Sequence, residues 1–172
     1  MKRIMTIFMV VSVFSGLPFL AGEQDAVQEP VIKEYGGFWY AHMDFDGPYS
    51  LIAPRSRVFK KEFDQQGLTA AGPFLAVFYN SPREYQKEEL KWGLGFPIYK
   101  NAQVKPPLKK TEFKKTACVV LVHTGPLNRV PESNDKVKDF VDSNGYQMVW
   151  PGYELLYQDP VKVEIVNPVV KK

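Results

Sequence analysis

The chain has 172 residues, enough for one ordinary domain. Apolar residues make up 45% of it and charged residues 24%, which excludes a wholly disordered chain. The net charge of +3 falls to +1 without the N-terminal segment described next, so the body lacks the basic excess expected of a nucleic-acid-binding protein. A single cysteine, Cys118, excludes an intrachain disulfide, and two histidines, His42 and His123, argue against a metal site.

The N-terminus has the layout of a secretory signal peptide. Lys2 and Arg3 precede an uncharged, mostly apolar run from Ile4 to Ala21, and charge returns at Glu23. This pattern predicts export and a periplasmic or secreted protein. The alternative is an uncleaved membrane anchor, because the apolar run could just span a bilayer. Beyond this segment the sequence predicts no contact with a membrane.

The rest of the chain contains an internal repeat. An offset of 78 residues aligns Gly47-Pro48 with Gly125-Pro126, Lys60 with Lys138, Phe63 with Val141, Gly67 with Gly145, Pro73 with Pro151, Tyr79 with Tyr157 and Pro82 with Pro160. A repeat of this length is one supersecondary unit used twice. The predicted organisation is a signal peptide over 1–22, a linker over 23–34 and one domain over 35–170, with repeats at about 37–99 and 115–167.

Each repeat is predicted to run strand, helix, strand, strand. In the first repeat these elements are Phe38 to Phe45, Arg57 to Gln66, Phe74 to Tyr79 and Lys91 to Ile98. The last of these strands alternates cleanly, with Trp92, Leu94, Phe96 and Ile98 on one face. Gly67 follows the helix as a natural C-terminal stop.

The second repeat is predicted to follow the same plan. Its elements are Thr116 to His123, Asn134 to Ser143, Tyr146 to Tyr157 and Val161 to Val166, and the lysine-rich stretch Lys105 to Lys115 reads as a solvated linker between the repeats. Two βαββ units predict an α+β fold, with an antiparallel sheet and both helices on one face. We expect a ligand cleft on the other face.

Several segments resemble the GyrI-like small-molecule-binding domains, the AraC-type effector-binding family. They are Glu89 to Ile98 (ELKWGLGFPI), the two Gly-Pro turns, and the ending Asn144-Gly145-Tyr146, Pro151 and Tyr153 to Pro160. The resemblance covers roughly Tyr35 to Val166. It implies a pseudo-twofold domain with a cleft between its halves, found in sensors of transcription regulators and also standing alone.

The resemblance also implies an anchor for the ligand. A carboxylate on the late strand of this family commonly meets cationic aromatic ligands, and Glu154 occupies that place. Many members have an acidic residue directly after the hallmark tryptophan, where this chain has Gly93. A few relatives hydrolyse strained electrophiles, and the related SOUL-type proteins bind haem. A role in transcription does not follow from the fold.

The residues themselves supply a candidate site. Glu154 lies among apolar strand neighbours and has Ala76 as its counterpart in the first repeat, so its charge has no evident structural purpose there. The predicted ligand-binding residues are Glu154, Trp92, Tyr40, Tyr153 and Phe78. Each aromatic residue could equally belong to the core.

The first hypothesis is therefore an exported binding module that holds a small, largely apolar molecule, neutral or cationic, in a cleft between the repeats, with no cofactor and no assigned catalytic residue. A hydrolase that uses Glu154, with a tyrosine as acid, is the second hypothesis, and a haem carrier is the third. For His42 the alternatives are a partly exposed strand residue or a haem or acid–base group. His123 is expected to serve a turn and Cys118 to be a buried, inert thiol. The sequence leaves the ligand's identity and the oligomeric state open.

Overall fold

The computed structural model describes residues 28–172. Its strands are β1 (Val31–Tyr35), β2 (Phe38–Asp46), β3 (Phe74–Phe78), β4 (Lys91–Ile98), β5 (Lys109–Phe113), β6 (Thr116–His123), β7 (Tyr146–Met148), β8 (Gly152–Gln158) and β9 (Val161–Lys171). The helices are α1 (Ile52–Gln65) and α2 (Val130–Ser143). The predicted signal peptide and the first part of the linker lie outside the described residues.

Both helices begin about one turn earlier than the sequence predicted. Each Gly-Pro turn leads into a short 3-10 turn, Tyr49–Leu51 or Leu127–Arg129, and the helix follows directly. Pro54 and Pro131 lie in the first turns of the two helices, where a missing N–H costs nothing. The helix starts were predicted too late because proline in a helical pattern normally signals a boundary.

The sheet is antiparallel throughout and has the order β1-β6-β9-β8-β3-β4-β2-β5, with β7 paired to β9. The first repeat is β2-α1-β3-β4 and the second is β6-α2-β8-β9, joined where β3 pairs with β8. The predicted α+β fold of two βαββ repeats is confirmed. The predicted strand from Tyr146 to Tyr157 is divided into β7 and β8.

The structure adds two strands that the sequence assigned to linkers. β1 precedes the first repeat but pairs with β6 of the second, and β5 precedes the second repeat but pairs with β2 of the first. The sheet curls so that these outer strands meet: the Tyr35 ring of β1 lies 6.0 Å from the Phe113 ring of β5. Lys115 and Glu34 form an ion pair of 2.7 Å close by.

The sheet has a core on each face. On the helix face, Phe59 and Phe63 of α1 pack against β4, while Val137 and Val141 of α2 pack against β6 and β9. On the opposite face the curled sheet packs against itself, with Tyr40, Leu75, Val77, Phe113, Cys118, Val120, Tyr153, Leu155 and Val166 buried together. Among residues 28–172, neither helix has the length and apolar character needed to cross a membrane.

Candidate functional site

A cavity of about 740 Å³ lies on the helix face of the sheet, between α1 and α2. Its floor is formed where β3 meets β8, by Phe78, Gly152 and Glu154. The start of α1 and one side of α2 form its walls. The prediction of a cleft on the opposite face is wrong, because the curled sheet fills that face with the aromatic core described above.

Glu154 is the acidic group on the cavity floor. Its Oε1 accepts a hydrogen bond of 2.9 Å from the Asn134 side chain of α2. Among residues 28–172, it takes part in no ion pair. Burial raises the pKa of Glu154, and the Asn134 hydrogen bond and the nearby His123 offset part of that rise. The floor therefore carries a desolvated carboxyl group with one oxygen, Oε2, free of hydrogen bonds within the described part of the chain.

The cations that line the cavity have acidic partners of their own. Arg83, in the loop after β3, pairs with Asp135 of α2 across the opening. Lys138 pairs with Asp142 along α2, and Lys172 lies 3.9 Å from the same aspartate. Each of these cations is therefore engaged by an aspartate, and none of these ion pairs involves Glu154.

Aromatic rings complete the walls. Tyr49, just before α1, packs its ring against Phe78 with a centroid separation of 5.1 Å. The Tyr49 hydroxyl donates to the Asn80 carbonyl over 3.3 Å. Burial, and then the charge of Glu154, raise the pKa of Tyr49 to about 12. Trp150 lines the opposite side and remains partly exposed. The cavity thus combines aromatic and aliphatic surface with the carboxyl group of Glu154 on its floor and charged pairs elsewhere in its lining, a mixture that small-molecule sites use.

The structure brings together three of the five predicted site residues. Glu154, Phe78 and Tyr153 line the cavity, although the Tyr153 ring stacks on Phe113 beneath the sheet, at 4.1 Å. Trp92 is fully buried outside the lining, and its Nε1 donates to the Gly47 carbonyl over 2.8 Å. Tyr40 belongs to the core of the opposite face. Trp92 and Tyr40 therefore lie away from this cavity.

Among the lining residues that were not predicted from the sequence are Tyr49, Asn134, Trp150 and Asn167. Asn167 could have been identified from strand alternation. It occupies an inward position of β9 in phase with Val163, Ile165 and Val169. A polar residue in that phase marks an interruption of the apolar face. The other three could not be found from strand alternation, because they lie on a helix or in turns.

His42 lies on the opposite face in a hydrogen-bonded network. Its Nδ1 donates to Asp44 over 3.0 Å, and its Nε2 lies 2.9 Å from the Thr111 hydroxyl. Tyr79 and Lys109 donate to the same aspartate, each over 2.7 Å. The network connects β2 and β5 with the residue that directly follows β3. Both ring nitrogens have partners, an arrangement that does not favour haem ligation.

The remaining singled-out residues also have structural partners. His123 Nε2 donates to the Pro126 carbonyl over 3.1 Å, and its Nδ1 lies 2.9 Å from the Ser133 hydroxyl. His123 thus connects its turn to α2. Cys118 is a buried free thiol, and burial raises its pKa to about 11. The expectation of a buried Cys118 is confirmed.

Comparison with known proteins identifies the family. The family model of the GyrI-like small molecule binding domain matches residues 28–170. The chain therefore belongs to the GyrI-like small-molecule-binding domains, as its motifs suggested. None of the curated proteins matches it.

Solved structures share the fold. The crystal structure of the EcmrR C-terminal domain superposes with a TM-score of 0.71 at 18% identity, covering 84% of this chain and 98% of that one. A hydrolase from Listeria innocua gives a TM-score of 0.60 at 12% identity, over 84% and 93% of the two chains. The structure of SAV2435 bound to tetraphenylphosphonium also gives a TM-score of 0.60 at 12% identity, covering 83% of this chain and 94% of that one. At these identities the similarity concerns the fold.

Proposed function

We propose that the domain binds a small, largely apolar cation in the cavity between its helices. The observation that carries this proposal is Glu154, a desolvated carboxyl group on the floor of a mostly apolar cavity, which forms no ion pair among residues 28–172 and whose pKa stays raised despite the nearby His123. A buried carboxylate is costly unless a positive charge or several hydrogen bonds compensate it. A ligand cation would supply that charge and return the pKa of Glu154 toward its ordinary value.

The walls suit such a ligand. Tyr49, Phe78 and Trp150 offer aromatic surface on which an apolar cation can pack, with a modest cation–π contribution. SAV2435, which shares the fold, was solved with tetraphenylphosphonium. That compound is therefore a reasonable probe for this cavity, although it is not a proposed natural ligand.

A pair of probes with the same shape and opposite charge tests the proposal. We expect titration calorimetry to show binding of tetraphenylphosphonium and much weaker binding of tetraphenylborate. Glu154→Gln should weaken the cation by about tenfold to a hundredfold, the usual cost of losing a charge-assisted contact of about 1–3 kcal/mol. Glu112→Gln, at an exposed position on β5, is the matched control and should change neither affinity. Equal affinities of the two probes for the wild-type protein would contradict the proposal.

Export is the second part of the proposed function. The order of charge, apolar run and small residues in the first 22 residues supports it. The mature domain would then meet its ligand outside the cytoplasm, in the periplasm or beyond. N-terminal sequencing of the native protein should find a chain that begins near Glu23. A cytoplasmic protein that retains Met1 would overturn this part alone.

Hydrolysis is the alternative that the cavity also supports. Glu154 has a raised pKa, which suits a general base, and its charge acts on Tyr49, a phenol that keeps its proton at neutral pH. Glu154 could take a proton from water while the water oxygen opens a strained ring, and Tyr49 could protonate the leaving oxygen. With styrene oxide as probe, formation of the diol that disappears in Glu154→Gln would favour an enzyme. Recovery of the intact epoxide favours a binding module.

A further inference from the structure

Asn167 is a polar residue of the cavity lining that, unlike Asn134, is not bonded to Glu154. Asn167 is only 7% exposed and belongs to the cavity lining. Its side chain makes no hydrogen bond with any residue in the described range 28–172. No fully buried side-chain nitrogen or oxygen in that range lacks a partner, so the unpaired amide atoms of Asn167 are the part of this residue that stays accessible. Asn167 thus keeps donors and an acceptor available on the cavity side.

Gly152 makes room for this side chain. A Cβ added at Gly152 would overlap Asn167 Oδ1, so the carboxamide occupies the space that any larger residue would fill. The equivalent position of the first repeat is Phe74, a bulky ring packed in the core. The second repeat therefore has a glycine in place of an aromatic residue at the point where Asn167 reaches the cavity floor.

The positions of the two polar groups define a spacing. Gly152 and Glu154 lie on the same face of β8, two residues apart. Strand geometry separates such positions by about 7 Å. Asn167 therefore meets β8 about one strand repeat away from the position that bears Glu154, a separation on the scale of one aromatic ring.

We propose that Asn167 recognises a carboxamide-like group on the ligand, with one hydrogen-bond donor beside one acceptor. This inference rests on the proposed function and narrows it. The ligand is then an apolar cation that carries an amide, lactam or similar group roughly one aromatic ring away from its positive charge. Ligands without that group leave Asn167 unsatisfied in the bound state, which reduces their affinity.

Two phosphonium probes separate this inference from the cation site. One is (4-carbamoylbenzyl)triphenylphosphonium, whose ring sets the carboxamide apart from the charged phosphorus. The other is its isopropyl isostere, which has the same shape and charge without the hydrogen-bonding group. We expect the carboxamide probe to bind the wild-type protein about fivefold to tenfold more tightly, as one or two added hydrogen bonds allow. Asn167→Leu should abolish that preference and leave the isopropyl probe bound.

The outcomes are distinguishable. Glu154→Gln should weaken both probes and keep the preference, since the two contacts are separate. Equal affinity of both probes for the wild-type protein overturns the role of Asn167 and leaves the cation site intact. Absence of binding by either probe and by tetraphenylphosphonium overturns both proposals.

A measurement on the wild-type protein guards against an Asn167→Leu variant that does not fold. The side-chain NH₂ resonances of Asn167 should shift in nitrogen-15 spectra with the carboxamide probe and shift much less with the isopropyl probe. Identical shifts with the two probes would contradict the proposal.

Discussion

Ala76 and Glu154 are related in two ways: they are equivalent residues of the two repeats and direct partners across β3 and β8. The 78-residue offset relates Phe74 to Gly152, whereas strand pairing joins Phe74 to Leu156. Repeat equivalence and strand pairing coincide at one pair in this ladder, Ala76 with Glu154. The local twofold axis of the domain therefore passes through that pair.

This position explains the asymmetry of the repeat. A residue on the axis faces its own equivalent, so a carboxylate in both repeats would set two like charges side by side. Directly opposed strand residues have their Cβ atoms about 5 Å apart, close enough for strong repulsion. One acidic residue opposite a small one gives the cavity a single charge at its centre of symmetry.

Ala76→Glu tests the pairing. At pH 7 the second carboxylate should repel Glu154, and we expect a loss of about 2–3 kcal/mol in the free energy of unfolding. Ala76→Gln has the same volume without the charge and should lose less. The gap between the two variants should narrow at pH 4.5, as the pair takes up a proton. Urea unfolding measures the stability of both variants. Coincident unfolding curves of Ala76→Glu and Ala76→Gln at pH 7 would show that the side chains at positions 76 and 154 do not face each other.

Glu154 should make the stability of the free protein fall as the pH rises. Burial raises its pKa above the ordinary value of 4.5, so the folded state binds the proton more tightly than the unfolded state. That contribution is complete below pH 4.5 and is lost as the pH rises through the folded pKa. The melting temperature of Glu154→Gln minus that of the wild-type protein should therefore be larger at pH 7 than at pH 4. A constant difference across this range would mean that the carboxyl group is well solvated.

The sequence predicted the repeats because their signals are local. The Gly-Pro turns and the helix-ending glycines Gly67 and Gly145 act within a few residues, and both glycines adopt positive φ angles of 63° and 73°. β1 and β5 escaped prediction for the opposite reason. Each pairs with a strand of the other repeat, and β5 is a short edge strand rich in lysine, a composition that also fits a solvated linker.

The same distinction applies to the site. Strand alternation correctly placed Glu154 on one face with Leu156, and a charge among apolar neighbours marked it as unusual. Alternation shows which residues share a face but not which face the helices cover. Tyr40 and Trp92 were therefore grouped with Glu154, although Tyr40 lies beneath the sheet and Trp92 is enclosed beside α1.

The α1 core gives a prediction that is independent of ligand. Phe63 is buried, with its ring 5.1 Å from that of Phe96 and 5.7 Å from that of Phe59. Phe63→Ala should cost about 3–5 kcal/mol in the free energy of unfolding, because it leaves a cavity among these rings. Val58 on the same helix is 43% exposed, and Val58→Ala should cost well under 1 kcal/mol. Similar losses in the two variants would place α1 in a different rotation on the sheet.

Asp44 should stabilise the opposite face at neutral pH. Burial acts to raise its pKa, but hydrogen bonds from His42, Lys109 and Tyr79 outweigh burial and hold the pKa well below the ordinary value of 3.8. A lowered folded pKa stabilises the protein above pH 3.8, and the contribution is lost as the pH falls toward the folded pKa. Asp44→Asn should therefore lower the melting temperature by several degrees at pH 7, and the difference should shrink below pH 3.8.

Asp46→Asn, at an exposed position on the same strand, should have little effect at either pH. Melting curves recorded from pH 2.5 to 7 measure both variants, and an equal, pH-independent effect of the two substitutions would show that the network around Asp44 does not stabilise the fold.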